Sequence, residues 1–146
     1  MPPGDQGLPP TVLPRTALPS DSSAPRTARR HVADLCRSWP RPVMDVAQLL
    51  TSELVTNAVR HGGGGVTLEV RANEALVRVE VSDEGPDLPP PTPVPMPSGA
   101  VDSGRGLALL SSLADAWGTT PQPSSPGKII WFELHRATTR VPGLSE

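Results

Sequence analysis

The chain has 146 residues, enough for one domain with a buried core. A net charge of −2 and an aromatic content of 3% without tyrosine argue against nucleic-acid binding and against a base-stacking platform. The single cysteine, Cys36, excludes an internal disulfide, and the sequence shows neither a run of 18 apolar residues nor a signal-peptide pattern. These features predict a cytoplasmic protein that contacts neither nucleic acid nor a membrane directly.

The N-terminal part is predicted to contain a tail, a strand and a helix, in that order. Residues 1–10 are rich in proline and glycine and are predicted to be disordered. Residues 11–18 predict a short edge strand, because Pro14 is tolerated only at an edge. Ser23 and Pro25 form a helix entry. One apolar helix face follows, made of Ala28, Val32, Leu35, Cys36 and Trp39.

The positions of the prolines indicate where the regular core lies. No proline occurs between Val43 and Gly85, or between Ser98 and Thr120, whereas residues 86–97 are rich in proline. Because proline breaks the interior of helices and strands, the two proline-free intervals are predicted to hold the core elements. The segment between them is predicted to be extended and mobile.

After a break at Trp39–Pro42, a long amphipathic helix carries two neighbouring stripes. The apolar stripe consists of Val43, Val46, Ala47, Leu50, Leu54 and Ala58. The polar stripe consists of Glu53, Asn57, Arg60 and His61. A carboxylate and a carboxamide one turn apart can hold a divalent cation and orient or deprotonate a hydroxyl. The alternative is a solvated helix edge with an ordinary i,i+4 pair, which this stretch alone favours.

A predicted hairpin ends in an inward-pointing aspartate. Residues 66–72 and 77–82 alternate between apolar and polar side chains around a turn at Asn73-Glu74. Asp83 continues the buried face of the second strand, and a buried carboxylate needs a partner. In a binding site Asp83 would accept a ligand hydrogen bond and Gly85 would leave the ligand room. Alternatively, Asp-Glu-Gly-Pro is simply a turn.

A second helix is predicted to begin at a glycine-rich stretch, Ser103-Gly104-Arg105-Gly106. Backbone N–H groups at a helix start, together with an arginine, can hold anionic oxygens. A lone Gly-x-Gly is weak evidence for this, because it also serves as a flexible entry to a helix. One strand is predicted to begin near Trp117, and a last strand is predicted at residues 129–134.

Taken in order, the three motifs resemble the N, G1 and G2 boxes of the GHKL (histidine-kinase-like) ATPase superfamily, as Glu53-x-x-x-Asn57, Asp83-x-Gly85 and Gly104-x-Gly106. The chain is most similar to the anti-sigma-factor serine/threonine kinase branch, on the stretches ELVTNAVRH, GRGLAL and WFEL. The resemblance covers roughly Thr11 to His135.

The resemblance implies a role for each box. Asn57 would coordinate the Mg²⁺ that bridges the nucleotide phosphates, and Glu53 would act as general base on a serine hydroxyl or on water. Asp83 would accept a hydrogen bond from the adenine amino group, and Gly85 would let the base approach. The rest of the implied ATP-binding set is Arg60, His61, Gly104, Arg105, Gly106, Leu107 and Lys128. The chain departs from the family before its last strand, where Gly127-Lys128 replaces a Gly-Thr pair whose threonine assists adenine recognition.

The fold implied is an α/β two-layer sandwich of the Bergerat type, with a mixed, mainly antiparallel sheet and helices on one face. The ATP-binding domain would occupy residues 11–136, between the disordered tail at 1–10 and a loose tail at 137–146.

The function implied is an ATP- and Mg²⁺-dependent serine/threonine protein kinase that regulates transcription by partner switching. Its partner would be a sigma factor or a small anti-sigma antagonist protein, and a homodimer would fit this branch. The alternative is a non-catalytic nucleotide-binding switch that binds a regulatory protein. A histidine kinase is disfavoured because the chain has no room for a phospho-accepting helical hairpin.

Overall fold

One open sheet and three helical stretches make up the part of the chain that the structure describes. The computed structural model describes residues 8–61, 65–84, 108–122 and 127–137. In chain order the elements are β1 (Thr11–Leu18), α1 (Ala24–Leu35), α2 (Arg41–His61), β2 (Val66–Ala72), β3 (Leu76–Asp83), β4 (Ala116–Pro121) and β5 (Lys128–His135). Residues 108–113 are also helical and precede β4.

The strands lie in the order β1-β2-β3-β5-β4, and each of these four pairings is antiparallel. β1 is an edge strand, as predicted, and its pairing with β2 is irregular between Leu13 and Thr16, around Pro14. Proline is tolerated there because an edge strand has one side without a neighbouring strand.

Prolines mark the start of both long helices. Ser23 is the N-cap of α1 and Pro25 lies in its first turn, which confirms the predicted entry. α2 begins at Arg41, inside the stretch that was predicted to break the chain. The carbonyl of Pro40 accepts the backbone N–H of Met44 at 3.1 Å. Pro42 fits this first turn because N–H groups at a helix start have no acceptor within the helix.

Asn73 closes the turn between β2 and β3, where the sequence predicts one. Its Oδ1 accepts the backbone N–H groups of Ala75 and Leu76, at 2.8 and 2.9 Å. An asparagine that bonds to its own turn in this way helps to set the hairpin register. That register pairs Val66 with Asp83 at the far end of the hairpin.

The helices cover one face of the sheet and enclose the core. α2 packs on β2, β3 and β5, and α1 packs on α2 and β1. The largest fully buried side chains include Phe132, Leu50, Leu54, Leu68, Leu110 and Leu134. This arrangement confirms the predicted α/β two-layer sandwich with helices on one face. Cys36 is part of the same core, as predicted, and burial raises the pKa of its thiol to about 11.

The opposite face of the sheet carries a charged cluster at its centre, between β3 and β5. The guanidinium of Arg78 donates to the carboxylates of Glu80 and Glu133, each at 2.8 Å. The same guanidinium lies 4.0 Å from the ring centroid of Trp131. That indole lies over Gly118, where an added Cβ would be 2.9 Å from the Trp131 ring. We call Arg78, Glu80, Trp131 and Glu133 the outer cluster.

Candidate functional site

One row of residues crosses the whole sheet at the end where β3 finishes. Cross-strand pairing places its members side by side in the order Leu18, Val66, Asp83, Lys128 and Pro121. Residues paired directly across antiparallel strands point to the same face. Asp83 and Lys128 also continue the alternating buried positions of β3 and β5, so both side chains point towards the helices. This confirms the predicted inward direction of Asp83.

Lys128 is a charged partner of Asp83 in the structure. The ammonium Nζ lies 2.6 Å from Asp83 Oδ2, and the two side chains are only 8% and 3% exposed. Lys128 is the only lysine in the sequence. Removing two charges from water costs several kcal/mol per ion, which close pairing and hydrogen bonds offset. We call these two residues the inner pair.

Gly127 brings the backbone before β5 against the end of β3. A Cβ at this position would lie 1.7 Å from the carbonyl oxygen of Asp83 and 2.6 Å from Cα of Glu84. Any side chain would therefore push the two backbones apart. The glycine before the last strand therefore has a steric reason in this chain. It lets Lys128 start β5 directly opposite Asp83.

Gln122 and Arg15 support the same end of the sheet, and sequence reasoning singled out neither. Gln122 is buried, and its Nε2 donates to the carbonyl oxygen of Asp83 at 3.0 Å. Its Oε1 accepts a hydrogen bond from the Arg15 guanidinium, whose Nε also donates to Thr67 Oγ1 at 3.2 Å. The backbone of Asp83 is therefore connected to β1, on the far side of the sheet. No spacing rule links residues 107 positions apart.

α2, which carries Glu53 and Asn57, is connected to this end of the sheet through the start of β2. The helix ends at His61 and β2 begins at Val66, whose cross-strand partner is Asp83. The connection is five residue steps long, so the Cα atoms of His61 and Val66 lie at most roughly 19 Å apart. Glu53 and Asn57 are both half-buried on this helix. The helix that carries the predicted stripe thus leads into the strand whose first residue pairs with the inward aspartate.

The oxygen donors of Glu53 and Asn57 fit a hard divalent cation such as Mg²⁺, which prefers carboxylate and carbonyl oxygens and keeps several waters. In the described part of the chain, no three histidine, cysteine, aspartate or glutamate side chains cluster as a metal site.

Several predicted site residues lie outside the described part of the chain. They are Gly85, Gly104, Arg105, Gly106 and Leu107. His61 belongs to α2, and only its backbone is described. Arg60 is exposed on the last turn of α2. The helix predicted after Gly106 is present at residues 108–113, with Leu110 and Leu113 in the core.

The described helices include none that is long and apolar enough to cross a membrane.

Comparison with known proteins gives one family. The sequence model of one protein family, the histidine kinase-like ATPase domain, matches residues 18–133 of this chain. An uncharacterized protein of Streptomyces coelicolor is 41% identical over 71 residues, 46% of this chain. The matched region spans 66% of that relative, just under two thirds of its length. Among solved structures, the histidine kinase AdeS of Acinetobacter baumannii aligns with a TM-score of 0.45 and 12% identity, over 86% of this chain and 69% of the other.

Proposed function

Because this chain belongs to the family of histidine kinase-like ATPase domains, we propose that it is an ATP-dependent serine/threonine protein kinase. Its target would be a small anti-sigma antagonist protein, and phosphorylation of that protein would change which partner the kinase holds, a sigma factor or the antagonist. The family match supports the ATPase class, and the resemblance of the three boxes supports the finer assignment.

One observation carries the proposal: the helix that carries Glu53 and Asn57 leads into the strand whose first residue pairs with the buried Asp83. Glu53 and Asn57 are four residues apart on α2, and Asp83 ends the strand paired to the one that follows α2. A buried carboxylate at one point and a carboxylate–carboxamide pair at another suit the two ends of a nucleotide. Asp83 would accept the amino group of adenine, and the α2 stripe would face the phosphates.

The α2 side chains have distinct proposed tasks. Asn57 would hold Mg²⁺ through its side-chain oxygen, and the cation would supply positive charge against the phosphate oxygens. Glu53 would accept the proton of the attacking serine hydroxyl. A carboxylate can do this when the hydroxyl is positioned within hydrogen-bond reach. Because Glu53 is half-buried, its side chain has fewer accessible conformations, and a larger fraction of them can hold the hydroxyl in the reactive position.

Calorimetric titration with ATP, with and without Mg²⁺, tests the nucleotide site. Wild type should bind ATP more tightly with Mg²⁺, Asn57→Ala should lose that enhancement, and Asp83→Asn should bind at least tenfold more weakly. Arg30→Ala, a change at an exposed position on α1, is the matched control. Failure of folded wild type to bind ATP would refute the proposal.

Phosphotransfer tests the kinase assignment. Wild type, Glu53→Gln and Arg30→Ala should be incubated with ATP, Mg²⁺ and antagonist-like proteins encoded near its gene, and phosphoserine should be detected by mass spectrometry. We expect Glu53→Gln to lower the rate at least a hundredfold while ATP affinity stays within about threefold, as removal of a general base predicts. Equal phosphotransfer rates for wild type and Glu53→Gln would show that Glu53 is not the general base.

The inner pair favours a second candidate function, a nucleotide-binding switch without catalysis. A lysine already holds the carboxylate proposed to recognise the base. Nucleotide binding would then have to share or rearrange a buried ion pair, and such a rearrangement can couple ligand binding to a change in partner affinity. Detection of serine phosphorylation that depends on Glu53 would rule this candidate out.

A further inference from the structure

We infer that Lys128 is a specificity-determining residue that reads the adenine base, donating a hydrogen bond from its ammonium to ring nitrogen N1 while Asp83 accepts from the neighbouring amino group. This inference rests on the nucleotide binding proposed above. It assigns to this chain a charged base contact at the position where the family often has a threonine.

The first step is the donor capacity of the buried ammonium. A lysine ammonium has three N–H donors and no acceptor. Within the described residues Lys128 donates one hydrogen bond, to Oδ2 of Asp83. The side chain is 8% exposed, so water has little access to the remaining donors. A buried ammonium is stabilised when its remaining N–H groups find acceptors, and a ligand atom beside Asp83 would supply one.

The second step is complementarity to the base edge. The inner pair presents a cationic donor and an anionic acceptor side by side, 2.6 Å apart. The edge of adenine presents the reverse, an amino donor next to the ring-nitrogen acceptor N1. A carboxylate has about four lone-pair sites, so one carboxylate can accept from a lysine ammonium and from an amino group at the same time. Sharing of this kind keeps the two charges together during binding, which avoids the cost of separating them.

The third step is rigidity. Gly127 sets β5 against the end of β3, and Gln122, which follows β4, donates a hydrogen bond to the Asp83 carbonyl. Lys128 and Asp83 are also directly paired in the β3–β5 ladder. Donor and acceptor are thus held in place before a ligand arrives, and a preorganised site loses less conformational entropy on binding.

The test compares ATP with 1-deaza-ATP, in which a carbon atom replaces N1. Wild type should bind ATP at least tenfold more tightly, the size expected for one hydrogen bond to a charged donor. In Lys128→Met, which keeps the length of the side chain but not the donor, the two nucleotides should bind within about threefold of each other. Arg78→Met removes a cation from the outer cluster of the same two strands and should keep the wild-type preference.

The outcomes separate this inference from the proposed function. If Lys128→Met binds both nucleotides and still prefers ATP tenfold, the inference is wrong while nucleotide binding stands. A wild type that prefers GTP to ATP also contradicts it. Absence of any nucleotide binding by wild type refutes the proposed function itself, and the inference with it.

A measurement on wild type alone covers the case in which Lys128→Met does not fold. Because the chain has one lysine, protein labelled with [15N]lysine gives a single side-chain ammonium signal in NMR. Saturating ATP should shift that signal, and saturating 1-deaza-ATP should shift it by less than half as much. Equal shifts with the two nucleotides would overturn the inference.

Discussion

Two ion pairs join the same two strands, β3 and β5, and they lie in different environments. Asp83 and Lys128 pair on the helix-covered face at the end of the strands, with side chains 3% and 8% exposed. Arg78 and Glu133 pair on the opposite face near the centre, with side chains 14% and 17% exposed. Both are direct cross-strand neighbours, so strand pairing alone does not distinguish them.

The difference shows that the face of the sheet on which an ion pair lies determines how far it is buried, and therefore how much free energy its loss costs. In the outer cluster one guanidinium contacts two carboxylates and an indole, so the cation has several partners. The inner pair brings together one ammonium and one carboxylate almost out of contact with water. Burial raises the free-energy cost of breaking the inner pair, and the remaining N–H donors of Lys128 suit a ligand.

The largest expected effect concerns the backbone that supports the inner pair. Gly127→Ala should destabilise the fold by about 4 kcal/mol or more, because the new methyl group would collide with the Asp83 carbonyl. Gly65→Ala is the control, since a Cβ there meets nothing within 4 Å and should change stability by less than about 1 kcal/mol. Urea denaturation measures both. Comparable losses would contradict the close approach at Gly127.

Breaking the inner pair should have the next largest effect. Lys128→Met leaves the Asp83 carboxylate buried without its cation, and we expect a loss of about 3–5 kcal/mol in the free energy of unfolding. The double variant Asp83→Leu with Lys128→Met removes both charges and should recover at least half of that loss. The two variants are compared by urea denaturation. A double variant no more stable than the single one would mean that the charge imbalance is not the cause.

The outer cluster should be less sensitive to the same kind of change. Arg78→Met removes one cation from two carboxylates and from the face of Trp131, and we expect a loss of about 1–2 kcal/mol. Added salt should narrow the gap between wild type and this variant, because partly exposed charges are screened. If Arg78→Met cost as much as Lys128→Met, burial would not be the factor that separates the two pairs.

The last expected effect appears only at alkaline pH and concerns Cys36, which lies in the core. Its thiol has a pKa raised to about 11, against an ordinary value of 9.0. The unfolded thiol therefore loses its proton first as the pH rises, so this contribution is complete below pH 9 and declines between about pH 9 and pH 11. Wild type should lose more stability over that range than Cys36→Ala, by at most about 1.4 kcal/mol per pH unit. If the stabilities of wild type and Cys36→Ala changed equally with pH, the raised pKa of Cys36 would be contradicted.

Much of the fold could be predicted from local patterns. Pro14 predicted the edge strand, Ser23 with Pro25 predicted the start of α1, and Asn73 predicted the hairpin turn. Each of these signals acts within a few residues, where backbone geometry and hydrogen bonding leave few alternatives. Alternation along β3 also predicted that Asp83 points into the fold, which the structure confirms.

The identity of the partner of Asp83 could not be predicted in this way. Parity of β5 places Lys128 on the inner face, yet only the β3–β5 register sets it opposite Asp83, 45 residues away. The same holds for Gln122, which reaches the Asp83 carbonyl from beyond β4. The predicted roles of Gly85 and Gly104 lie outside the described residues and stay predictions.

The sequence by itself determined which segments become helices and strands and which faces they bury, because periodicity and turn chemistry are local properties. It also determined the order of the three motifs, and with it the resemblance to an ATPase family. Only the tertiary structure decided which buried groups meet. Strand order and register bring Lys128, Gln122 and the Gly127 backbone to one carboxylate, since a long-range contact depends on the packing of the whole sheet.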